Sequence, residues 1–223
     1  MHMTERGLLA LVRHEGLVPG PYLDVKQVWT FGIGHTAAAG SPDPARMPRG
    51  MPGDIDAGIR EAFRVFRTDL VAYEAAVLRA VKVPLAPHEF DALVSFHYNT
   101  GGIARAALTK ALNAGNRAAA ADGFMGWLKP AAIRSRREAE RDLFRHGRYA
   151  TGTIPVWAVD RNGRVDFSRS IRRLTEPEAL ALLSAITAGP NPSLTPKPDL
   201  APPPVAASWW QRLLRLLTGK EST

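Results

Sequence analysis

Between Asp54 and Val81 the residues Ile55, Ile59, Phe63, Phe66, Leu70, Tyr73 and Val77 recur every three or four positions. That repeat places side chains on one face of a helix, so this stretch is read as a single long helix ended by Pro84. A second helix is bracketed by its own punctuation: "PHEFDALVSFHYNTGG" opens with proline and closes with Gly-Gly. Shorter helical patterns cover "ARAALTKALNAG", "NRAAAADGFMGWL" and "AIRSRREAERDLFRHG". Near the front, Thr4 can cap a helix over "ERGLLALVRHEG", with Leu8, Leu9, Leu11 and Val12 as its apolar face and Gly16 as its stop. "LVPGPYLD" reads as a turn. "VWTFGIGH" is β-like, with Trp29 and Phe31 on one face and Thr30 on the other. "AAAGSPDPARMPRGMPG" reads as an irregular loop. The balance predicts an α+β fold, mainly helical, with a small antiparallel β lobe.

Beyond Gly147 the pattern changes. "TIPVWAVDRNGRVDFS" is two β-like runs around Asn162-Gly163, a hairpin signal. "TEPEALALLSAI" is a short helix with a T-x-x-E start. The expected organisation is a main domain over 1–149, a hairpin-and-helix extension over 150–188, a Pro-rich linker over 189–207 and a basic amphipathic tail over 208–223. The tail "SWWQRLLRLL" invites weak contact with a membrane surface through Trp209, Trp210, Arg212 and Arg215; a short helix docked on its own domain or on a partner, or a frayed end, is the favoured alternative.

The chain has 223 residues, no cysteine, a net charge of +8 and a pI near 10.3. Disulfide scaffolds and zinc–thiolate sites are thereby excluded. No apolar run approaches the roughly 20 residues that cross a bilayer. The N-terminus reads as an amphipathic helix and not as a secretory signal, so synthesis in the cytoplasm is expected. The positive charge attracts polyanions: nucleic acid, anionic lipid or an acidic wall polymer. Arg and Lys are spread out and no nucleic-acid motif occurs, so nucleic acid is not the expected partner. The histidines lack metal-ligand spacing and no nucleotide loop is present; neither metal nor cofactor is expected.

The chemistry concentrates in "EGLVPGPYLDVKQVWTFGIGHT". Glu15 and Asp24 lie nine positions apart, and Thr30 follows six later. Two carboxyl groups across a cleft are what glycosidic cleavage needs, one to protonate the leaving oxygen and one to serve as base, nucleophile or stabiliser of an oxocarbenium ion. Glu15 ends an apolar helix, which favours the protonated form. Asp24 sits in a polar turn, which favours the ionised form. Taken alone, such a pair is more often a solvated helix end and a turn acceptor.

The pattern E-x8-D-x5-T followed by x-G-x-G-H-T resembles the phage-type lysozymes, the endolysins of glycoside hydrolase family 24. "FRTDL", "ALVSFHYNTGG" and "SRREAERDLFRHG" resemble further family segments in the same order, so the resemblance covers roughly residues 4 to 149. It implies a lysozyme-like fold, with a helical lobe and a β lobe joined by the long helix. It also implies hydrolysis of the β-1,4 bond between N-acetylmuramic acid and N-acetylglucosamine in peptidoglycan. Glu15 would be the general acid, Asp24 would activate water or stabilise charge, and Thr30 would hold the water, with inversion at the sugar. The family places glycine in the turn after the aspartate; here Gln27 takes that position, and a glutamine adopts a left-handed conformation only at a cost.

The same resemblance pairs His35 with Asp69 as support for the β lobe, a role favoured over substrate contact. Gly34, His35, Tyr98 and Asn99 are the candidate substrate contacts. Asn99 is read as a partner for an acetamido group, as a helix C-cap, or as both at once. Arg136 is expected near Glu15, with Arg137 as the alternative match. Trp127 is expected to pack in the helical core. Two other functions remain beside the muramidase: a lytic transglycosylase using Glu15 without water, and a non-catalytic peptidoglycan-binding protein on the same fold. A monomer that reaches the wall through a separate membrane pore is expected.

Overall fold

The computed structural model describes residues 1–187; the linker and tail expected beyond them lie outside the described residues. Helices α1 (Glu5–Glu15), α2 (Ile55–Ala80), α3 (Pro87–Thr100), α4 (Ala107–Asn113), α5 (Arg117–Gly123), α6 (Arg134–His146) and α7 (Glu176–Thr187) alternate with strands β1 (Val18–Leu23), β2 (Trp29–Gly32), β3 (His35–Thr36), β4 (Ile154–Val159) and β5 (Val165–Leu174). The described chain forms two compact units. One combines 1–11 with 70–151, the other 12–69 with 152–187, so the boundaries fall inside α1 and α2.

The helical unit is built on α3, buried from Glu89 to Tyr98. Its ends form as the punctuation predicts. Pro87 occupies the first turn, the Glu89 carboxylate accepts from Ala86 N at 2.8 Å, and Gly101 (φ 61°) donates to His97 O at 2.7 Å. Phe96 meets Phe124 edge-on at 5.5 Å and Trp127 at 5.3 Å, and Phe124 tilts against Phe144 at 5.6 Å. Each buried ring contributes about 1.5–3 kcal/mol. Trp127 is thus a packing residue, half-buried, as expected.

The start of α1 is tied into this unit through a buried carboxylate. Thr4 Oγ1 accepts from Gly7 N at 2.9 Å and donates to Asp91 at 2.5 Å, while Thr4 N and the Tyr149 hydroxyl also donate to Asp91 at 3.0 and 2.8 Å. Burial pushes the Asp91 carboxyl up, against these hydrogen bonds. Gly7 is required here, because a Cβ would sit 2.2 Å from Asp91 Cγ.

The second unit holds a three-stranded antiparallel sheet in the order β1-β2-β3 and a separate β4–β5 hairpin. "LVPGPYLD", read as a turn, is instead the strand β1. It pairs with β2 through Val18↔Gly32, Tyr22↔Thr30 and Leu23↔Trp29, with an irregularity between Val18 and Tyr22. Pro19 and Pro21 fall in that irregular stretch, where a missing N–H costs no ladder bond. The extension packs on this sheet: Val18 and Tyr22 of β1 share a small core with Trp157 and Val159 of β4, flanked by Met51, Val165 and Phe167. Main-chain bonds from Leu17 N to Pro155 O (3.3 Å) and Trp157 N to Leu17 O (2.9 Å) join the two. Arg13 adds a bond to Gly152 O and an ion pair with Glu176, each at 2.9 Å.

Candidate active site

Glu15 is the last residue of α1 and is half-buried. Gly16 (φ 69°) donates to Val12 O at 2.8 Å, ends the helix and turns the chain into β1. The apolar face of α1 next to Glu15, including Leu11 and Val12, is fully buried.

Asp24 occupies the first position of the turn joining β1 to β2 and is 3% exposed. Its N–H donates to Val28 O, Gln27 N returns to Asp24 O, each at 3.0 Å, and its Oδ1 accepts from Lys26 N and Val28 N at 2.8 and 2.9 Å. The carboxylate therefore points where the turn's own amides hold it, with Oδ1 committed to the turn. Gln27 has φ 60°, alone among the described non-glycine residues in lying at positive φ. Glutamine thus stands at a left-handed position of this turn.

The β4–β5 turn is a twin of this one. Asp160 N donates to Arg164 O at 3.0 Å, Gly163 N returns to Asp160 O at 3.1 Å, and Asp160 Oδ1 accepts from Asn162 N and Arg164 N, both at 2.8 Å. Its left-handed position is Gly163, φ 79°. The pair shows that an aspartate bonded in this way is a property of the turn, so chemistry at Asp24 has to come from its surroundings.

Thr30 is fully buried in β2, paired with Tyr22 on one side and Thr36 on the other, and its hydroxyl donates to Val28 O at 3.1 Å. A hydroxyl that donates inward keeps its lone pairs to accept from water. Trp29, beside it, carries the Arg49 guanidinium over its ring at 3.5 Å. Neither Trp29 nor Arg49 was a candidate on sequence; a cation–π pair closed across a loop leaves no local signature.

Gly34 (φ 84°) makes the turn between β2 and β3. His35 is 2% exposed, with Nδ1 2.8 Å from Asp69 Oδ2 and Nε2 2.8 Å from Pro42 O. Both ring nitrogens are taken within the lobe, which removes His35 as a hydrogen-bonding substrate contact and leaves the pairing with Asp69. Burial pulls the imidazolium down, but the Asp69 carboxylate and the carbonyls of Pro42 and Gly40 outweigh it, so its pKa stands above the ordinary value.

In the helical unit, Glu140 (2% exposed) accepts from Arg136 Nε at 3.0 Å and Ser95 Oγ at 2.7 Å, and Arg137 Nη1 lies 2.6 Å from its other oxygen. Arg137 also donates to Asn99 Oδ1 at 2.6 Å. Both arginines are buried, and Arg137 joins this cluster to Asn99. Asn99 lies inside α3 and Gly101 ends the helix, so the C-cap reading of Asn99 is corrected. Tyr98 is buried against Tyr73, with ring centroids 4.9 Å apart. Among the described residues no cluster of His, Asp and Glu is arranged to hold a metal ion.

Known structures share this architecture. An endolysin from Escherichia coli O157:H7 phage FAHEc1 superposes with a TM-score of 0.58 at 29% identity, covering 68% of this chain and 98% of that one. A mutant of the P22 lysozyme gives 0.56 at 29% identity, covering 65% and 98%. The fold is therefore lysozyme-like. In sequence, the endolysin of Salmonella phage P22 is 34% identical over 150 residues, 65% of this chain and 98% of the relative. The phage lysozyme family model matches residues 12–140. The chain belongs to the phage lysozyme family and is a glycoside hydrolase of the muramidase type.

Proposed function

We propose that this chain cleaves the β-1,4 bond between N-acetylmuramic acid and N-acetylglucosamine in peptidoglycan, with inversion, and that Glu15, Asp24 and Thr30 carry the reaction. Glu15 gives its proton to the glycosidic oxygen as the bond to C1 breaks. A water on the opposite sugar face attacks C1, losing its proton toward Asp24, and Thr30 holds that water. The observation that supports this reading most is the state of Asp24 and Thr30. Asp24 is buried and clamped through Oδ1 alone, and the Thr30 hydroxyl donates away into the turn, so Oδ2 and the hydroxyl lone pairs remain for a water. A buried carboxylate held by two amides is fixed in its orientation before substrate arrives. Asn99, whose Oδ1 is bound by Arg137, keeps its amide nitrogen to donate to an acetamido carbonyl. The site of action is the cell wall, reached through a membrane pore made by another protein.

The stereochemical part is tested by proton NMR of muropeptide-chain digestion during the first minutes. The α-anomer of the new reducing N-acetylmuramic end should appear first and then mutarotate. Initial β-anomer would mean retention, and 1,6-anhydro ends would mean a transglycosylase.

A further inference from the structure

The family match stops at residue 140, yet the β4–β5 hairpin beyond it touches the segment that carries Asp24 and Thr30. We propose that the tip of this hairpin, centred on Gly163, is a positioning element for the catalytic turn.

Leu23 N donates to Gly163 O at 2.8 Å, and Leu23 immediately precedes Asp24. A Cβ on Gly163 would lie 2.7 Å from two ring atoms of Trp29 and 3.2 Å from Leu23 Cγ, so the Gly163 backbone rests directly on both side chains. Trp29 immediately precedes Thr30. Leu23 and Trp29 face each other across β1 and β2, closing the base of the turn. One glycine thus sits on the pair of residues from which Asp24 and Thr30 both spring. Arg49 also lies on the Trp29 ring, which is therefore held by cation–π contact as well as by the hairpin tip.

The edge of β1 is built for this partner. Its ends bond to the hairpin through Leu17 and Leu23, and the alternate positions between them, Pro19 and Pro21, carry no N–H that would be left unpaired. The shared core of Val18, Tyr22, Trp157 and Val159 anchors the contact from below. The need for outside support lies in the turn itself, where Gln27 stands in the left-handed conformation that Gly163 adopts in the twin turn. A turn under such strain has weaker internal preference for its shape, and the hairpin tip supplies the constraint.

This inference rests on Asp24 and Thr30 being catalytic, and the test separates the two. The full chain is prepared as wild type, Gly163→Ala, Asp160→Ala and Asp24→Asn, with kcat and KM measured on soluble peptidoglycan fragments. Amide exchange at Lys26 and Val28, the two donors to the Asp24 carboxylate, is followed by NMR. Gly163→Ala pushes Trp29; Asp160→Ala loosens the hairpin tip without adding an atom. The expected result is a fall in kcat of about 10- to 100-fold for Gly163→Ala with KM little changed. Faster exchange at Lys26 and Val28 should accompany it, and Asp160→Ala should give a smaller effect in the same direction. If Gly163→Ala does not fold, Asp160→Ala decides alone. Wild-type kcat and wild-type exchange at both amides in a folded variant overturn the positioning role. Full activity in Asp24→Asn would instead overturn the catalytic reading, while the exchange data would still report on the contact.

Discussion

Replacing Gln27 by glycine should stabilise the protein at the loss of a single long contact. Gln27 is exposed and lies at φ 60°, and its side chain makes one long contact, Nε2 to Asp24 O at 3.5 Å, which is too long to contribute appreciably. An L-residue in this region costs about 1–2 kcal/mol. Glycine removes that strain but returns about 0.4–1 kcal/mol through its freer unfolded chain. The difference is a gain of about 0.5–1 kcal/mol, equivalent to a rise in Tm of about 2 °C for a protein of this size. The twin turn provides the internal reference, since Gly163 adopts the same conformation at φ 79°. Urea unfolding of wild type and Gln27→Gly, followed by circular dichroism, gives the change in midpoint at constant slope. A lower midpoint for Gln27→Gly would refute the reasoning, because it would mean that the glutamine side chain or its chain stiffness outweighs the strain.

Other consequences follow from buried charges. His35, with its pKa raised by Asp69, contributes stability that is fully present below its unfolded value of about 6.5 and is lost as pH rises through the folded value. Asp69→Asn should therefore destabilise the protein more at pH 5.5 than at pH 8.5 in denaturant titrations. His97 behaves oppositely: burial first, then the charges of Arg105 and Arg79, lower its pKa to about 4. Its neutral form is favoured in the fold, so about 3 kcal/mol of stability should be lost as pH falls from about 6.5 to the folded value, and His97→Phe should flatten that slope. Glu140→Gln leaves Arg136 and Arg137 buried without their carboxylate and should cost about 3–5 kcal/mol, read as a large fall in the urea midpoint.

Elements whose ends carry their own chemistry were legible in the sequence. Pro87 and Gly-Gly marked α3, and the apolar stripe from Ile55 to Val77 marked α2, because each signal acts within a turn or two of the residue that makes it. The strand β1 was not legible: "VPGPYL" lacks the N–H groups of an ordinary strand, and its outer edge is satisfied by a hairpin much later in the chain. At the candidate site, Glu15, Asp24 and Thr30 stood out through a family pattern, and the left-handed Gln27 followed from a missing glycine in that pattern. The contacts that hold the turn from outside, Gly163 on Leu23 and Trp29 and Arg49 on Trp29, are tertiary and carry no local periodicity. Asn162-Gly163 announced a hairpin but not what the hairpin would press against.

We propose that two carboxyl groups of this chain, Glu15 and Asp24, cleave the glycan. The most direct test is mass spectrometry of purified peptidoglycan digested by wild type, Glu15→Gln and Asp24→Asn, each shown to be folded. Wild type should give fragments with reducing N-acetylmuramic ends, and either variant almost none. Equal fragment yields from Glu15→Gln or Asp24→Asn, or no fragments from folded wild type, would contradict the proposal.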